Sequence, residues 1–293
     1  MADRVRNVWR GGATLAEGPV WDAANDVVWF VDIKQRRVHR FDPRSGAVTG
    51  WAAPTQVGWV LPAADGGLLA GLQTGLARFD PATGRFDHLA DVEPENPGNR
   101  LNDATVAADG AVWFGTMDDS EERASGRVFR FDGRQVVATA IPPVTITNGP
   151  AFSPDGATLY HVDTLGGIIH AVPVGADAST GAPSEFARID PADGHPDGVC
   201  VDSAGNVWVG LWGGWCARCY AADGRVVEEV RLPVANVTKI AFGGPDLTTA
   251  YATTASKGLD EEARRAQPEA GSLFAFAVTV PGRVLPLARI SPR

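Results

Sequence analysis

Glu17, Asn102, Asn148 and Asp197 lie far apart in the chain, yet they stand eight residues before Asn25, Gly110, Gly156 and Gly205, each part of a turn signal. The same count back from Gly66 reaches Gly58. The turns themselves are Asn25-Asp26, Asp65-Gly66, Asp109-Gly110, Asp155-Gly156, Ala204-Gly205 and Pro245-Asp246, and apolar runs such as residues 27–31 and 207–210 follow them. Their spacing of about 40 to 50 residues is the period of a blade of four short strands. In a propeller, equivalent positions in successive blades are related by rotation about one axis, so these side chains should converge on one channel mouth. Carboxylate and amide oxygens meeting there have the chemistry of a cation site.

The elements that must hold them are short strands. In the first copy, residues 18–22, 27–32, 37–41 and 47–51 read as four strands, with the turn Asp42-Pro43-Arg44-Ser45-Gly46 before the outermost. Related turns recur at 79–84, 131–133 and 220–224. Copies beginning near Glu17, Gly58, Asn102, Asn148, Asp197 and Thr238 predict an all-β, six-bladed β-propeller, one domain over residues 1–293. The sixth copy supplies inner strands at 239–242, 249–253 and 272–278, while its fourth can come from 5–10 or 284–290. The N-terminal choice is favoured, because pairing the two ends in one blade closes the ring and removes a sheet edge. Helical periodicity is confined to residues 259–266, enough for a turn or two.

Composition excludes several classes of function. A formal net charge of −9 and the absence of a basic stripe argue against nucleic acid. No apolar run approaches the roughly 20 residues that cross a bilayer, and Met1-Ala2-Asp3-Arg4-Val5-Arg6 has no signal-peptide core, so the expectation is a cytoplasmic protein without a membrane partner. Three cysteines make no disulfide framework, and Cys216 and Cys219, three apart on a strand, would point to opposite faces. No Gly-x-Ser-x-Gly elbow is present, which weakens a serine-nucleophile reading. His161 and His195 are read as structural. Trp29, Trp113 and Trp208 recur on the strand after the turn and are read as blade packing, whereas Trp59, Trp212 and Trp215 are candidates for a pocket mouth.

The segments around the convergent positions resemble those of a known family. Residues 17–22 (Glu-Gly-Pro-Val-Trp-Asp), 99–103 (Asn-Arg-Leu-Asn-Asp), 113–117 (Trp-Phe-Gly-Thr-Met), 148–156 and 196–202 are similar to motifs of the senescence-marker-protein, gluconolactonase and luciferin-regenerating-enzyme family, as are 241–245 and 271–274. The resemblance implies a six-bladed propeller that holds one divalent cation and, in many members, hydrolyses sugar lactones. It implies Glu17, Asn148 and Asp197 as metal ligands, Arg100 and Asn102 as substrate contacts, and Asp103 beside them at the cavity. The repeat alone selects Glu17, Asn102, Asn148 and Asp197. One departure stands out: where some relatives carry a paired Glu after Gly-Thr-Met, this chain has Asp118-Asp119-Ser120 before Glu121-Glu122, and that substrate contact is left unassigned.

A lactone is an internal ester, whose hydrolysis needs a polarised carbonyl, a nucleophilic water and a stabilised oxyanion. One divalent cation can meet all three needs, lowering the pKa of bound water from about 15.7 toward 7 in the zinc limit. Oxygen-only ligation favours Ca, Mg or Mn, although Fe(II) and Zn accept such sites. Asp197 is then both ligand and candidate general base, with Arg100 and Asn102 orienting the lactone. The leading expectation is a metal-dependent aldonolactonase on five- or six-carbon rings, with pentonolactones slightly preferred. A phosphotriesterase or other lactone hydrolase on the same ion, and a non-catalytic cation-binding propeller, are the alternatives.

Overall fold

The computed structural model describes residues 5–291. They form six four-stranded antiparallel sheets. Blade 1 comprises Ala16–Asp22, Val27–Asp32, Arg37–Phe41 and Val48–Ala52, close to the bounds expected from the first repeat. The innermost strands of blades 2 to 5 are Val57–Pro62, Asn99–Val106, Thr147–Phe152 and His195–Val201. Blade 6 is built from Asn236–Gly243, Thr249–Ala255 and Leu273–Ala277, and Val5–Trp9 is its outermost strand, as ring closure requires. Each inner strand touches the inner strand of the next blade, and blade 1 touches blade 6, so the strands circle one axis. Blades 3 and 6 therefore face each other across the channel.

Turn chemistry sets the hairpins. The turn after each inner strand carries a residue at positive φ: Asp26, Gly66, Gly110, Gly156 and Gly205 in blades 1 to 5, and both Gly244 and Leu247 in blade 6. Five of these seven are glycine, the residue for which that conformation is free of a Cβ clash. Between blades the packing is aromatic at every junction. Trp51 meets Phe79, Trp59 meets Phe114, Trp113 meets Phe152, Phe186 meets Tyr220, Trp208 meets Phe242, and Trp9 meets Phe30. Truncating one such buried ring to Ala costs about 3–5 kcal/mol. Trp29, Trp113 and Trp208 are all buried, as expected of packing residues.

The C-terminal segment does not join blade 6. Ala288 makes a parallel bridge with Ala63 of blade 2, and Arg289 N and Ser291 N donate to Gly110 O and Gly133 O of blade 3. The tail thus straps one end of the channel, with Val284, Leu285 and Pro286 lining a cavity there. Glu261–Ala266 forms the short helix, capped by Asp260. No helix among the described residues is long and apolar enough to cross a membrane.

Candidate active site at the channel mouth

Every inner strand slips register at the same place. The shift falls at Glu17/Val20, Val57/Trp59, Leu101/Ala104, Asn148/Ala151, Pro196/Val199 and Val237/Ile240. A bulge leaves residues unpaired with the neighbouring strand and re-aims their side chains. Here it turns Glu17, Asn102, Asn148 and Asp197 into one cavity of about 330 Å³, which Arg100 also lines. Gly58 holds the equivalent place in blade 2 because a Cβ there would meet Leu101 O at 2.6 Å, so blade 3 can approach the axis only past a glycine.

The polar groups are wired to one another. Arg100 Nη1 donates to Asn102 Oδ1 at 2.6 Å, and Asn102 Nδ2 donates to Asn148 Oδ1 at 2.9 Å and to Thr147 O at 2.7 Å. Asn148 Nδ2 in turn donates to Thr164 Oγ1 at 2.9 Å, which fixes the amide with its oxygen toward Asn102. Arg100 Nε is held by Asp119 Oδ1 at 2.8 Å, and Lys34 Nζ (2.6 Å) and Gln56 Nε2 (2.9 Å) hold the same carboxylate. Burial works against that carboxylate's charge, but the bonds from Lys34 and Gln56 and the Arg100 charge bring Asp119 down to about 2. Arg100 is therefore a fixed cation.

Glu17 and Asp197 stand in the opposite regime. Burial and then the Asp103 charge raise Glu17 to about 7, although Gly18 N donates to its Oε2 at 3.0 Å. Asp197 is pushed well above the usual carboxylate range by burial, then by Glu17 and Asp103. Two buried carboxylates that repel each other beside an amide oxygen are a donor set lacking positive charge. Glu17, Asn148 and Asp197 accordingly fit a divalent cation in hardness, charge and convergence.

Asp103 is placed differently from the sequence expectation. The bulge turns it away from Asn102, and its carboxylate takes Lys239 Nζ at 2.5 and 2.7 Å across the axis. This ion pair is buried and forms a septum: Asp103 and Lys239 line the cavity of about 350 Å³ at the strapped end, not the one holding Glu17. Gly198 makes room for it, since a Cβ would lie 2.6 Å from the Lys239 side chain.

Other residues were invisible to the repeat. Glu121, His195, Trp212 and Lys257 line the site cavity. The acidic run after Gly-Thr-Met divides its labour. Asp118 accepts from Ser120, Glu122 and Arg123 to hold its loop, Asp119 secures Arg100, and Glu121 reaches the cavity. Trp59 is fully buried against Phe114 and borders the far cavity, while Trp215 is exposed outside the site lining. Of the three mouth candidates, Trp212 alone takes that position. Cys216 and Cys219 pack in separate cores, as opposite strand faces require.

Fold and site together define a six-bladed propeller with a polar, metal-compatible cavity at one end of its channel. Residues 15–256 match the SMP-30/Gluconolactonase/LRE-like region, and the chain belongs to that family. It is 33% identical to a 6-deoxy-6-sulfogluconolactonase of Pseudomonas putida over 98% of this chain and 99% of that one. A pentonolactonase of Haloferax volcanii is 34% identical, over 92% of each chain. The crystal structure of a calcium-binding protein, regucalcin, from Agrobacterium tumefaciens superposes with a TM-score of 0.93 at 32% identity, covering 97% of both chains.

Proposed function

We propose that this protein is a cytoplasmic, divalent-metal-dependent hydrolase that opens a sugar aldonolactone to the aldonic acid. The observation that carries the reading is the convergence of Glu17, Asn148 and Asp197 in one cavity with the Arg100–Asn102 pair. Relatives along the full chain named as sugar lactonases support it. Glu17, Asn148 and Asp197 would hold the ion, which when bound supplies Lewis acidity and a more acidic water. Calcium, magnesium and manganese suit the oxygen donors, and Fe(II) and zinc are accepted by such sets.

The chain's own residues do the rest. Asp197 accepts a proton from the attacking water and returns it to the departing ring oxygen. Arg100, immobilised by Asp119, presents its remaining N–H groups to the lactone oxygens, where charge develops as the carbonyl is attacked. Asn102 keeps Arg100 and Asn148 in register.

The test is acid release from xylono-, arabinono-, glucono- and galactonolactone by protein stripped with chelator and then reloaded with each ion. Turnover should vanish on stripping and return with a divalent ion, with pentonolactones slightly preferred. Absence of turnover of all four lactones with metal present would overturn the reading, and chelator-insensitive turnover would remove the metal from it. Asp197→Ala should lose metal and activity together; full metal stoichiometry in that variant by elemental analysis would refute the ligand assignment.

A further inference from the structure

One ion pair crosses the open mouth of the site cavity. Glu121 follows the second strand of blade 3 and Lys257 the second strand of blade 6, so their contact joins opposite blades above the channel. Both line the cavity that has Glu17, Asn148 and Asp197 in its wall, and Lys257 Nζ also lies 6.0 Å from the centroid of the Trp212 ring.

The backbones beneath this pair are fixed. Ser256 N and Lys257 N donate to Thr14 O, and Asn236 Nδ2 donates to Lys257 O. Glu121 N donates to Asp118 O in a loop gathered around the Asp118 carboxylate. The two side chains, 31% and 37% exposed, are thus the parts free to rearrange. A pair so open to water adds little to folding, but it offers a donor and an acceptor side by side.

That combination matches a hydroxyl, which both donates and accepts. A polyol can exchange the Lys257–Glu121 bond for its own two bonds and leave no charge unpaired. An anionic arm would gain Lys257 but meet Glu121.

We propose that Lys257, with Glu121 as its partner, is a substrate-binding residue that selects neutral polyhydroxy lactones by their hydroxyls farthest from the scissile ester. This rests on the lactonase reading above. The ester must approach the ligand carboxylates, so the distal arm of the substrate points toward the mouth where Lys257 stands.

The experiment compares kcat/KM for a pentonolactone and for γ-butyrolactone, which lacks hydroxyls, in the metal-loaded wild type, Lys257→Met and Lys257→Arg. The ratio of the two constants should fall about tenfold or more in Lys257→Met, the loss of one hydrogen bond to a charged group. Lys257→Arg should recover part of it, because a cationic donor remains. Metal content and melting temperature measured on the same samples separate a binding effect from misfolding. An unchanged ratio in Lys257→Met, or a fall of both constants in parallel, would overturn the assignment while leaving the lactonase reading intact. Inactivity of the wild type on both lactones would instead overturn that reading and this inference with it.

Discussion

Asn102 is the residue that ties Arg100 to Asn148. Both of its amide hydrogens are taken, by Thr147 O and Asn148 Oδ1, and its oxygen receives Arg100. It therefore works chiefly by holding Arg100 and Asn148 in fixed relation, with one lone pair left for a ligand. Asn102→Ala deletes the acceptor that orients Arg100 but leaves Glu17, Asp197 and the Asn148 oxygen in place. The expected result is retained metal with kcat/KM for the lactone reduced about tenfold or more, the consequence of losing a bond worth about 1.5–3 kcal/mol. Asp119→Asn should act on the same guanidinium from its other side and chiefly raise KM. Kinetics with metal analysis check both, and unchanged constants across the cognate lactones would remove Arg100 and Asn102 from the site.

At the scale of the strand, the repeated bulge explains why some of the site was legible and some was not. Glu17, Asn102, Asn148 and Asp197 could be found because one backbone device recurs at one repeat position, so counting from the turns lands on the residues it aims. Glu121 and Lys257 occupy irregular segments after the second strands, where no period constrains them. Asp103 was misplaced for a geometric reason: the same bulge that sends Asn102 to one cavity sends its neighbour toward the other, and adjacency in sequence carries no sign of the reversal. Trp59 turned inward because its indole fills the junction against Phe114. The Asp103–Lys239 septum gives an element-level prediction. Lys239→Met leaves the Asp103 carboxylate buried without a counter-charge, which should cost about 3–5 kcal/mol. Adding Asp103→Leu should restore much of the loss, because removing both charges also removes the desolvation penalty. Denaturant unfolding of both variants measures this, and a single variant as stable as the parent would show that the septum charge is compensated elsewhere.

For the whole molecule, the two chain ends close different things. Residues 278–291 strap the far end of the channel, and with the septum they leave the Glu17 cavity opening at the end where Lys257 and Glu121 stand. Val5–Trp9 closes the ring, pairing Val5 with Phe276 and Arg6 with Ala275. Trp9 then packs edge-on against Phe30 at 5.0 Å and beside His39 at 4.9 Å, which fastens blade 6 to blade 1. Removing residues 1–9 would strip the outer strand from blade 6, leave Leu273–Ala277 as an unpaired edge, and delete the Trp9–Phe30 contact at that junction, where Tyr251 still meets Trp21 and Phe41. Edge strands of this kind template pairing between molecules. The shortened chain should therefore melt at a lower temperature and shift to larger species on size exclusion as concentration rises. Lactone turnover should decline in step with the folded fraction, since Glu17 and Lys239 sit on the inner strands that flank the weakened junction. A shortened protein that melted with the parent and kept its elution volume would mean that the three remaining strands of blade 6 hold the ring closed without the N-terminal strand.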